Sequence, residues 1–113
     1  MPATVLPELD VAKLRRFCKE RIPEAFADGV RLEVTVKGRR VSIHEHRPPW
    51  QGGPGEWTSQ PIAQVRYEDE GTWTLYFGDR YGRWTYYDDL EPAQSIDAVI
   101  AELKVDPTSV FWG

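Results

Sequence analysis

Cysteine is nearly absent. Cys18 stands alone among 113 residues, so no internal disulfide can form. There is also no apolar run long enough to cross a bilayer and no secretory signal, and the expected location is a reducing cytoplasm. Positive charge is in deficit: 14 Lys and Arg face 18 Asp and Glu, a net charge of −4. That balance argues against strong non-specific attachment to nucleic acid or an anionic membrane, both driven by positive charge, but it leaves room for a local basic patch. Histidine is limited to His44 and His46. Catalytic zinc takes three protein ligands, so no metal site is expected. No cofactor is expected either. The chain has no nucleophile elbow or dinucleotide turn, and Gly52-Gly53-Pro54-Gly55 lacks the Lys and Ser/Thr of a phosphate loop.

Aromatic residues, in contrast, are plentiful: five Trp, five Tyr and four Phe. Each buries a large area, so a chain of this length can build a core without staples. The length fits one domain, residues 1–113. The densest stretch, 61–87, holds three runs rich in β-branched and aromatic residues, 62–67, 72–77 and 83–87, which read as consecutive strands. Asp69-Glu70-Gly71 fits a three-residue hairpin loop with Gly71 at positive φ. Closing it with Glu68 and Thr72 sets Tyr67 opposite Trp73, Val65 opposite Leu75 and Ala63 opposite Phe77, all on one apolar face. Gln64, Arg66, Thr74 and Tyr76 then lie on the other face. Beyond the turn at 78–82, Trp84 and Tyr86 are expected to extend the apolar face, and Thr85 and Tyr87 the polar one.

Upstream, Glu8 to Arg21 reads as a helix with an apolar stripe of Leu9, Val11, Leu14, Phe17 and Cys18, which Pro23 ends or kinks. Residues 24–28 are expected to add a short helical turn. Cys18 reads as a small buried apolar group, since nothing in the sequence offers it the base a reactive thiol needs. Residues 30–37 and 40–47 read as a hairpin turning at Gly38. Val36 then faces Val41, Val34 faces Ile43 and Leu32 faces Glu45, while Glu33 lies across from His44 on the polar face. The Pro- and Gly-rich stretch 48–60 breaks the strand pattern. It is expected as a loop that Trp50 and Trp57 staple to the core, or else as an adaptable recognition loop. Ser95 is a good N-cap for a helix whose stripe is Ile96, Val99, Ile100 and Leu103. Phe111 and Trp112 are expected to dock on the body.

Three groups of side chains could carry chemistry. His44 and His46 share a strand face at a spacing a metal could use, yet further ligands are missing, and they read more simply as surface histidines balanced by Glu33. Glu45 and Arg47 continue the face of Val41 and Ile43, where charges need partners. They are weak catalytic candidates, and read first as a structural ion network reaching Arg66 past a bulge. The polar face collects Arg31, Lys37, Arg40, His44, His46, Arg66, Tyr76 and Tyr87 against Glu33. Open sheets with basic and aromatic side chains are one way of holding single-stranded nucleic acid. A protein partner or self-association is expected ahead of nucleic acid, and no membrane. The expected binding residues are Arg31, Arg40, His44, His46, Arg66, Tyr76 and Tyr87.

Glu45-His-Arg-Pro48 with Trp50, Pro61-Ile-Ala, Trp73-Thr-Leu-Tyr76, Trp84 with Tyr87, and the ending Asp106-Pro107 with Phe111-Trp-Gly113 together resemble a small bacterial family, domain of unknown function 3024. The resemblance runs from the first helix to the terminal Gly and implies no assigned activity, so it transfers no site residues. The fold expected from the residues is α+β. An antiparallel meander of about five strands carries an N-terminal and a C-terminal helix on its one apolar face. The function expected is a cytoplasmic binding or interaction module without catalysis. The alternative is a small hydrolase-like or metal-dependent enzyme built on His44-Glu45-His46-Arg47.

Overall fold

The computed structural model describes residues 5–22, 29–49 and 55–112. The expected helical turn at 24–28, Pro23 and Trp50 lie outside them. Helix α1 spans Glu8–Arg21. Strands β1 (Arg31–Lys37), β2 (Arg40–Arg47), β3 (Thr58–Tyr67), β4 (Trp73–Gly78) and β5 (Trp84–Tyr86) follow, and helix α2 covers Ile96–Val105. The strands pair in chain order into one antiparallel five-stranded sheet, which makes the fold α+β.

One face of the sheet carries the core. Val41, Ile43, Ala63, Val65, Trp73 and Leu75 pack with Val11, Leu14, Phe17 and Cys18 of α1 and Ile96, Val99 and Leu103 of α2. Both helices therefore cover the same face, as their stripes require. Leu9 falls outside the expected stripe and is 69% exposed. It sits two residues before Val11, about 200° round the helix, so it cannot share that side. Asp10, one turn before Leu14, instead accepts a hydrogen bond from the buried Trp73 indole at 2.9 Å. Burial pushes the Cys18 thiol up to about 11, which suits a packing group and not a nucleophile.

The ends of α2 follow local rules. The Ser95 hydroxyl accepts from the Asp97 amide at 3.1 Å, and Asp106 closes the helix at φ 46. The Asp106 carboxylate then accepts the amides of Phe111 and Trp112. That turn docks the tail: Phe111 packs in a tilted arrangement against Tyr87 at 5.0 Å, and the Trp112 indole donates to the Leu103 carbonyl at 2.8 Å. No helix of the described residues is long and apolar enough to cross a membrane.

Two features depart from simple alternation. β3 begins at Thr58, earlier than expected, because a bulge lets the Pro-containing stretch pair with β2. Ile43 pairs with Ala63 and His44 with Pro61, which leaves Ile62 as the extra residue. Pro61 needs no ladder donor at that irregularity. Gly78 on β4 lies against it: a Cβ there would meet the Pro61 carbonyl oxygen at 2.3 Å, so only glycine permits the approach.

The second departure is β5. Asp79 and Arg83 close a three-residue loop, 80–82, with Gly82 at φ 77. Trp84 then pairs with Gly78, Thr85 with Phe77 and Tyr86 with Tyr76, while the Tyr87 amide donates to the Leu75 carbonyl. The expected facing of β5 is therefore reversed. Trp84 and Tyr86 stand on the open face, and Tyr87 turns into the core at 3% exposure.

Candidate functional site

The open face is built from alternate residues of all five strands. Its first row is Lys37, Arg40, Arg66 and Thr74, each the register partner of the next across β1, β2, β3 and β4. Three cations thus sit side by side, and directly opposed like charges on neighbouring strands are destabilising. Lys37 and Arg40 have no ion-pair partner among the described residues. Arg66 is positioned by neutral groups: its Nε donates to Gln64 Oε1 at 2.7 Å, and its guanidinium lies 3.8 Å from the Tyr76 ring centroid. Gln64 in turn donates to Ser42 at 2.9 Å, so the two buried polar residues beneath the row are satisfied. A hollow of about 420 Å³ opens here, lined by Lys37, Arg39, Arg40, Arg66, Glu68 and Tyr76. Glu68 is engaged by the Thr74 hydroxyl at 2.8 Å, and Arg39 by Asp69 at 2.6 Å.

The next rows are aromatic. Tyr76 and Tyr86 meet edge to face at 5.4 Å, and His44 meets Trp84 at 5.8 Å in the same manner. His44 and Trp84 stand on β2 and β5, with Pro61 and the bare Gly78 on the strands between them. Partial burial, chiefly, and then His46 hold the His44 imidazole below its ordinary range, while Glu33 pulls the other way. At the far end, Glu33 contacts His46 at 3.4 Å, diagonal to its register partner His44. Arg31 lies over the Trp57 ring at 4.6 Å. Trp57 is 38% exposed, so it is not stapled into the core. With Arg31, Glu33 and His46 it lines a second hollow of about 540 Å³.

Of the expected binding residues, Arg31, Arg40, His44, His46, Arg66 and Tyr76 come together on this face. Tyr87 does not. It is buried, its hydroxyl is bonded to Glu102, and burial first and then that carboxylate raise its pKa. Trp84 and Tyr86 belong on the face and were missed. The weak catalytic candidates are elsewhere: Glu45 and Arg47 bond each other at 2.7 Å on the helix-bearing side, and Arg66 points away from them. The stretch His44-Glu45-His46-Arg47 is thus divided between two faces of the sheet, His44 and His46 on the open one and Glu45 and Arg47 on the other. Among the described residues no three His, Cys, Asp or Glu side chains cluster at metal-binding distance.

What this geometry defines is a meander with one covered face and one polar, aromatic face. The chain belongs to the family described as Domain of unknown function (DUF3024), whose model matches residues 1–113. No curated protein and no solved structure matches the chain.

Proposed function

We propose that the chain is a small binding module of a bacterial cytoplasm, without catalytic activity, that takes an anionic partner on the open face of its sheet. The observation that carries this reading is the row Lys37–Arg40–Arg66. Three adjacent cations without a carboxylate between them cost stability in the free protein and would be relieved by an anion. In a chain of net charge −4, such a row is also a local reversal of sign that directs anions to one face.

The test is binding of heparin, a generic polyanion, at low and moderate salt, together with mass in solution, for wild type and Arg66→Glu. The reading expects a wild type that binds with strong salt dependence and a variant that does not. A wild type that ignores heparin at low salt contradicts it. So does a dimer that falls apart in Arg66→Glu, which would assign the face to a second copy.

A further inference from the structure

We infer that the anionic partner is single-stranded nucleic acid, with phosphates held by the Lys37–Arg40–Arg66 row and bases stacked on Tyr86 and Trp84. This rests on the open face being a binding surface, and adds what the surface reads. A row of cations alone would suit any polyanion. The rings beside it are the discriminating feature, and the turn of β5 supplies two of them. Tyr86 is 41% exposed, and Trp84 is only partly buried beyond it on the same strand. Residues two apart on one strand face stand about 6.6 Å apart, which separates two bases well beyond the ~3.4 Å rise of a stacked helix. That spacing fits an extended strand whose bases are splayed onto separate rings.

The rings are also held in place. Tyr86 rests edge to face on Tyr76, which the Arg66 guanidinium covers at 3.8 Å. Trp84 rests on His44 in the same way. Each stacking ring is therefore pre-oriented by a second ring, which lowers the ordering cost of binding. An acidic protein segment would use the cations but leave these rings without a role. A duplex would offer phosphates and keep its bases out of reach of a flat face.

The experiment is titration of the full chain with an eight-residue oligo(U), an eight-residue oligo(dT), a short DNA duplex and poly-glutamate, following tryptophan fluorescence and anisotropy. Wild type is compared with Trp84→Ala, Trp84→Phe, Tyr86→Ala and Arg40→Gln, each checked for an intact thermal transition. The single strands should bind best, with a log–log salt slope of about −2 for three phosphates. Each alanine variant should lose between about fivefold and a hundredfold in affinity, and Trp84→Phe should recover most of it. If poly-glutamate or the duplex binds as tightly and the ring variants change nothing, the nucleic-acid inference falls while an anion-binding face stands. If no polyanion binds at low salt, both fall.

Discussion

Arg40 and Arg66 are direct register partners on neighbouring strands, on the open face, with no carboxylate between them. The sheet tolerates this because Arg66 is drawn aside onto Tyr76 and tied to the buried Gln64. Repulsion in the free protein and attraction for an anion are therefore two consequences of one arrangement.

The core depends most on Trp73, which is 1% exposed and donates its indole N–H to Asp10 at 2.9 Å. Trp73→Ala should cost about 3–5 kcal/mol in urea denaturation. Trp73→Phe should cost about 1–3 kcal/mol, because Asp10 keeps its partial burial and loses its donor. A Trp73→Phe variant as stable as wild type would mean that the Asp10 contact contributes nothing.

Gly78 permits the bulge. A methyl group there would meet the Pro61 carbonyl at 2.3 Å, and backbone cannot retreat as a side chain end can. Gly78→Ala should destabilise by roughly 1–3 kcal/mol and disturb the β3–β4 amide signals in NMR first. An unperturbed spectrum would place the bulge elsewhere.

Much of this architecture was legible because alternation and turn chemistry agree. The partners Val34–Ile43, Val65–Leu75 and Tyr67–Trp73 follow from Gly38, Gly71 and the side-chain period alone. The facing of β5 differs from the expected one because of the length of the loop before it. Asp79 and Arg83 close a three-residue loop ending in Gly82, just as Glu68 and Thr72 close the one ending in Gly71. Applying the same count to both loops puts Tyr87 across from Leu75 and brings Trp84 and Tyr86 outward. The position of the bulge at Ile62 was not legible, since its only traces are Pro61 and the distant Gly78. The cation row was visible residue by residue, but its contiguity needed the register between β2, which ends at Arg47, and β3, which begins at Thr58.

His44 sets a dependence on pH. Its folded pKa lies below the ordinary 6.5, first through partial burial and then through His46. As pH falls below 6.5, the unfolded chain takes up a proton that the folded chain resists, so this contribution is complete above 6.5 and is lost as pH falls through the lower folded value. The thermal midpoint should therefore decline from about pH 7 to about pH 5.5 in wild type, and decline less in His44→Gln. Equal slopes in the two proteins would remove His44 as a cause.

On the proposed function the cation row is kept at a cost in stability for the sake of an anion, and Arg40→Gln tests this in one paired measurement of thermal midpoint and oligo(U) affinity. Removing one of the directly opposed charges should raise stability by about 0.5 kcal/mol. For a chain of this size that is an upward shift of about 2 °C, accompanied by weaker binding whose salt slope is shallower by roughly one phosphate. A midpoint that falls while affinity stays the same would show that Arg40 serves the fold and not a ligand, and would contradict an anion-binding row.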